Sequence, residues 1–211
     1  MLQVAIVDDH QIVRAGFHEL LSDDVAIRIC FEASSGEEAL SKLREIPCDV
    51  LLLDISLPGK SGIDVLRTVC QRHPEVKVLM LSGFPEESYA LAVIRNGASG
   101  YLSKDCDQAE LLRAIHIVGT GRRYASSKTS ELLADEMSGN RPSKPHESLS
   151  DRELQVFLRL AKGESVTEIA KNLNLSVKTI STYRSRLSEK LDVTSNAGLA
   201  TYALRNGLIT E

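Results

Sequence analysis

No stretch of this sequence stays apolar long enough to cross a bilayer, and the N-terminus lacks the basic, apolar and small-residue succession of a signal peptide. A cytoplasmic protein with no membrane partner is the expectation. Tryptophan is missing altogether, yet with 43% hydrophobic and 26% charged residues the composition stays ordinary for a globular chain. Cysteine is scarce: Cys30, Cys48, Cys70 and Cys106 stand far apart in sequence and form no metal-ligand or redox pair. They read as small core or helix residues kept reduced in the cytosol. Internal repeats are absent, and the 211 residues suffice for one large domain or two small ones.

Charge separates the two ends. Residues 1–125 hold 13 basic against 18 acidic side chains, whereas 148–211 hold 9 basic against 7 acidic. An acidic first part and a mildly basic last part suggest two modules with different partners.

What is present begins with Asp54. It closes the unalternating run Val50-Leu-Leu-Leu, which reads as a strand buried on both faces, and precedes the turn signal Pro58-Gly59. A second apolar run, Val4 to Val7, ends in Asp8-Asp9. In open α/β sheets the ligand crevice lies beyond the carboxyl ends of the strands. Three carboxylates converging there repel one another unless a cation sits among them, and hard oxygen ligands suit Mg²⁺.

Strands are expected near 2–7, 27–33, 49–53, 76–81 and 99–102, with helical spacing at 12–21, 36–45, 63–72, 86–96 and 107–118. Five β-α units predict a doubly wound, five-stranded parallel sheet with helices on both faces. The remaining strand ends bring Ser82 and Lys104 to the same edge. A carboxylate nucleophile, a metal, a hydroxyl and an ammonium make a plausible phosphoryl-transfer site.

Asp8-Asp9, Asp54, Ser82, Tyr101 and Lys104 resemble, in order and spacing, the flavodoxin-like receiver domain of bacterial two-component response regulators. The resemblance implies that Asp54 takes a phosphoryl group from a sensor histidine kinase. It implies that Asp9, Asp54, the main-chain carbonyl of Ser56 and, through water, Asp8 bind Mg²⁺. Ser82 and Tyr101 become the switch pair, Tyr101 filling space vacated beneath the fourth helix, and Lys104 contacts the phosphate. His10 receives no catalytic role. Ser56 and Phe84 border the approach of a hydrolytic water; Phe84 either screens the phosphoryl group or packs under Tyr89 or a partner.

The receiver is expected over 1–120. A linker follows over 121–147, with a possible short helix between Ser126 and Met137 and a polar, proline-broken segment over 138–146. The last module, 148–211, opens with a capping box, Ser150 and Glu153. Its helices are expected from there to about Lys162, over 166–173, from the cap Ser176 to Leu191, and over 196–206. The short second and third helices form a helix-turn-helix signature in an all-α, four-helix domain. On the third, Ile180, Tyr183, Leu187 and Leu191 face inward, while Lys178, Ser181, Thr182 and Ser185 face away with Arg184 and Arg186 at the flanks. A hydroxyl-rich face with positive flanks suits base edges and phosphates.

Glu168-Ile-Ala-Lys-Asn-Leu with Ser176-Val-Lys-Thr-Ile resembles the LuxR-type helix-turn-helix, and the whole chain resembles a NarL/FixJ-family regulator. That likeness implies promoter DNA as partner, with Lys178, Thr179, Thr182, Tyr183, Ser185 and Arg186 at the groove. It implies a homodimer on activation and no enzyme activity beyond the receiver's own phosphoryl chemistry. The last helix, with Leu199, Tyr202, Ala203 and Leu208, resembles the family's dimerisation helix. Its apolar face fits either closure of its own core or a partner surface. An Asp54-dependent phosphotransferase and a non-DNA-binding adaptor are the rival readings.

Overall fold

Alternation of buried strands with amphipathic helices produces the expected sheet. The computed structural model describes residues 1–138 and 144–209. Strands β1 (Leu2–Val7), β2 (Ile27–Ala33), β3 (Val50–Asp54), β4 (Lys77–Ser82) and β5 (Gly100–Ser103) are all parallel in the order β2-β1-β3-β4-β5. Helices α1 (Gln11–Ser22), α2 (Gly36–Lys42), α3 (Gly62–Arg72), α4 (Glu86–Arg95) and α5 (Gln108–Gly119) connect and follow them. The central run Leu51-Leu52-Leu53 is fully buried because helices cover both faces. Each such leucine contributes about 2 kcal/mol of hydrophobic stabilisation.

The strand order reverses at β1, so the carboxyl ends of β1 and β3 lie side by side at the switch point of the sheet. One residue shapes the turn beyond β3. An added Cβ on Gly62, the first residue of α3, would lie 2.0 Å from the Asp54 carbonyl oxygen, so a side chain there would push the helix off the strand end. Ser61 and Asp64 cap that helix reciprocally.

The connector contains helix α6 (Ser127–Met137), which lies along α4. Ser126 and Thr129 direct their hydroxyls to the Glu86 carboxylate, both at 2.5 Å, and Lys128 pairs with Glu87 at 2.6 Å. Residues 139–143 of the polar segment expected over 138–146 lie outside the described residues. A 3-10 turn (Pro145–Ser148) leads into α7 (Asp151–Ala161), α8 (Val166–Asn172), α9 (Val177–Leu191) and α10 (Asn196–Arg205). Reciprocal Ser150/Glu153 and Ser165/Glu168 boxes start α7 and α8, and Ser176 caps α9. Asn174, at φ 53°, makes the tight turn between α8 and α9. Among the described residues, no helix is long and apolar enough to cross a membrane.

Candidate functional site

Two places carry chemistry. The first is the edge where β1, β3, β4 and β5 end. Asp8 is 0% and Asp54 1% exposed. Lys104, just after β5, reaches between them: its Nζ lies 2.5 Å from Asp8 Oδ2 and 2.9 Å from Asp54 Oδ2. Its position follows from backbone pairing, since the Lys104 N–H donates to the Ser82 carbonyl at 2.8 Å. Burial pushes the Asp54 carboxyl above its ordinary range, with Asp8 adding repulsion against the pull of Lys104. Burial works against the Lys104 charge, but Asp54 and Asp8 outweigh it and hold the ammonium above its usual value.

Asp8, Asp9 and His10 form one cluster in which a ligand atom from each lies within 4.8 Å of the others. His10 Nδ1 is 2.9 Å from Asp9 Oδ1 and 3.3 Å from Asp8 Oδ1. The sequence reading gave His10 no role; its only signal was adjacency to the acidic pair. Asp54 stands outside this cluster and joins it through Lys104. Asp8 Oδ2, Asp9 Oδ1 and Asp54 Oδ2 are buried, and their close contacts are the Lys104 ammonium and the His10 ring. Hard carboxylate oxygens gathered in this way fit a divalent oxophilic cation. Ser56 is half-buried, and its N–H donates to the Asp54 carboxylate.

Ser82 is buried at the end of β4, where its Oγ accepts the Phe84 N–H at 3.1 Å. The Tyr101 hydroxyl donates to the Phe84 carbonyl at 2.6 Å. Sequence reasoning expected Tyr101 to move inward after phosphorylation. Here it is already fully buried, and burial raises its phenol well above the ordinary value. Phe84 takes the second of its two expected places. Its ring packs 5.8 Å from that of Tyr89 and carries the Lys162 ammonium of the last module, 4.1 Å from the ring centroid.

That contact is one of several between the modules. Lys162 Nζ also donates to the Gly83 carbonyl at 3.3 Å, and Arg152 donates to the Gly59 carbonyl. The Gly59 N–H meets the Leu173 carbonyl at 3.1 Å. Arg67 pairs with Asp151 at 2.6 Å, and Ser88 donates to the Leu208 carbonyl at 2.8 Å. The loops that follow Asp54 at the end of β3 and Ser82 at the end of β4 thus both touch the last module. Sequence pattern gave no sign of Lys162 or Arg152 in this position.

The second place is the outer face of α9. Lys178, Ser181, Thr182, Ser185 and Arg186 are exposed, while Thr179 and Tyr183 are half-buried. Lys178, Thr179, Thr182, Tyr183 and Arg186, with Ser176, surround a shallow groove of about 340 Å³. Ile180, Leu187 and Leu191 fill the core beneath. On α10, of the two possibilities left open, closure of the module's own core is the one observed. Leu199 is 1% and Ala203 0% exposed against α7, and Tyr202 packs edge-on to Phe157 at 6.0 Å. Of Leu199, Tyr202 and Ala203, expected at a dimer surface, Leu199 and Ala203 are covered by the module's own core and Tyr202 is half-buried. Leu204 is the exposed large apolar residue of that helix.

Residues 4–116 match the response regulator receiver domain, and residues 147–203 match the bacterial regulatory proteins of the luxR family. The response regulator UvrY of Escherichia coli K12 is 39% identical over 209 residues, covering 99% of this chain and 96% of its own. The response regulator GacA of Pseudomonas syringae pv. syringae is 36% identical over 212 residues, covering 99% and 98%. Among solved structures, RcsB from Salmonella enterica serovar Typhimurium, bound to promoter rprA in the presence of the phosphomimetic BeF3-, is 27% identical. It superposes with a TM-score of 0.68 over 95% of this chain and 97% of that one.

Proposed function

Because the chain belongs to the two-component response regulators that join a receiver to a luxR-type DNA-binding domain, we propose that Asp54 is its phosphoacceptor and α9 its DNA-reading helix. The observation that carries this is the buried Asp54 carboxylate at the end of β3, ion-paired at 2.9 Å with Lys104. In the transfer, an Asp54 oxygen attacks phosphorus, the bond from phosphorus to the kinase's histidine nitrogen breaks, and an acyl phosphate forms. Asp9, Asp54 and the Ser56 carbonyl, with Asp8 through water, would hold Mg²⁺, which supplies neutralisation of the phosphoryl oxygens. Lys104 pairs with the new charge of about −1.5 to −2. The receiver catalyses no reaction other than this transfer and the later hydrolysis.

The acyl phosphate offers the Ser82 hydroxyl a new acceptor. Drawing Ser82 inward moves Gly83 and Phe84, the residues that Lys162 holds, and so loosens the last module. Tyr101, already inside, keeps the Phe84 carbonyl and transmits the movement to α4. The freed protein pairs as a homodimer, through surface other than Leu199 and Ala203, and binds promoter DNA in the cytoplasm. Lys178, Thr179, Ser181, Thr182, Tyr183, Ser185 and Arg186 meet the major groove or its phosphates. Labelling by a small-molecule phosphodonor tests the first step. Wild type with Mg²⁺ takes up stoichiometric phosphate, while Asp54→Asn and chelator-treated wild type do not. Full labelling of Asp54→Asn removes the assignment.

A further inference from the structure

Among the described residues six large hydrophobic side chains are exposed, and of these Val177 alone belongs to α9. It is the first residue of that helix and is 49% exposed. Folding does not ask for valine there. A helix start favours Asp or Glu, as α7 has in Asp151 and α8 in Glu168, over an apolar β-branched residue. Ile180, Leu187 and Leu191 fill the core beneath α9, with Leu175 and Tyr183 packed against it. Positions four apart share one ridge of a helix, so Val177 extends the line of Ser181 and Ser185 to the N-terminal end of α9. In a helix-turn-helix the N-terminal residues of the second helix are the ones that meet base edges. The hydroxyls around Val177 are engaged within their own helix. Ser176 and Thr179 share a hydrogen bond at 2.8 Å, while Thr182 and Ser185 donate to the Lys178 and Ser181 carbonyls at 3.0 and 3.1 Å. Beside them Val177 offers solvent nothing but methyl groups.

We infer, taking α9 as the DNA-reading helix proposed above, that Val177 is a specificity-determining residue that packs against the C5-methyl group of a thymine in the major groove. The thymine methyl is the one apolar group among the base edges exposed there. A side chain without donor or acceptor makes no hydrogen bond to the other edge groups, and covering them strips their water without replacement. Against a methyl group it removes apolar surface of both partners from water. Cytosine in the same place is disfavoured twice, since it lacks the methyl and presents an amino donor that valine leaves unpaired. Burial of a single methyl corresponds to about a fourfold change in affinity.

The experiment uses the full-length chain, treated with a small-molecule phosphodonor and Mg²⁺, and a duplex selected from random sequence by its binding to that protein. Each thymine of the duplex is replaced in turn by deoxyuridine, which pairs identically and lacks only the methyl. For wild type, replacement at one thymine of a half-site should weaken binding about fourfold and leave the salt slope unchanged. Val177→Ala should bind the thymine duplex about fourfold more weakly than wild type, and the same replacement should then cost it nothing. Val177→Ile, which keeps an apolar β-branched side chain, should retain the sensitivity to deoxyuridine. Val177→Ala binding as tightly as wild type overturns the inference. Equal loss in Val177→Ala on thymine and deoxyuridine duplexes at every position overturns it too, and places Val177 at a protein contact with α9 still reading DNA. Failure of wild type to select any duplex overturns the assignment of α9 as well.

Discussion

In the N-terminal module the groups that do chemistry are withdrawn from water, Asp8 and Asp54 lying beneath the surface with only Lys104 between them. In the C-terminal module Lys178, Thr182, Ser185 and Arg186 stand in water on a helix whose opposite face alone is buried. Burial makes the first site a store of electrostatic free energy, since each change of charge there is felt at low dielectric. The second presents its side chains to solvent, with the Thr182 and Ser185 hydroxyls donating to the Lys178 and Ser181 carbonyls of their own helix. One site gains from rearranging its charges, the other from presenting them.

Removing Lys104 breaks the first half of this contrast and has the largest expected effect. Lys104→Gln leaves Asp8 and Asp54 buried without their ammonium, a loss of about 3 kcal/mol for a broken buried pair. Thermal unfolding in chelator should show a clear drop in Tm, and Mg²⁺ should restore more of it in the variant than it adds to wild type. An unchanged Tm in chelator would mean that the ion pair does not hold the pocket.

Substitutions on α9 sharpen the other half. Thr182→Ala and Ser185→Ala are expected to cost about 1–3 kcal/mol of discrimination between related sites and to leave salt dependence intact. Lys178→Ala and Arg186→Ala should instead weaken all sequences alike and reduce the salt slope by about one each. If Lys178→Ala altered sequence preference with the slope preserved, the reading face would be rotated from the one assigned.

A smaller effect tests whether burial of charge in the C-terminal module is only structural. Glu153 caps α7 and pairs with Lys190 at 2.6 Å, its side chain 4% exposed. Burial works against its charge, yet Lys190 and Ser150 outweigh it and hold the carboxyl below the ordinary value. Because the folded-state pKa is depressed, this stability is present above the unfolded value and lost as pH falls through the folded one. Glu153→Gln should cost about 1 kcal/mol at neutral pH, and the gap to wild type should close as acid protonates Glu153. A constant gap from neutral to acid pH would show that charge at Glu153 contributes nothing.

Much of this was legible in the residues. Asp8, Asp54, Ser82 and Lys104 could be gathered at one edge because each follows an apolar run, and parallel strands present their carboxyl ends together. The bounds of α7 and α9 were readable because Ser150, Gly163 and Ser176 are local signals. What escaped depends on contacts between segments that no local pattern links. Lys162 over Phe84 needs two modules to be docked. Leu199 was ambiguous for a different reason, since an apolar helix face looks the same whether its own domain or a second copy covers it.

Charge placed in the buried site should change what the exposed one does. The direct measurement is equilibrium binding of the full-length protein to promoter DNA at fixed salt, before and after treatment with a small-molecule phosphodonor and Mg²⁺, in wild type and Asp54→Asn. Wild-type affinity should rise at least several-fold on phosphorylation, with no gain in Asp54→Asn. Equal affinity of phosphorylated and unphosphorylated wild type, with stoichiometric phosphate verified at Asp54, would contradict it.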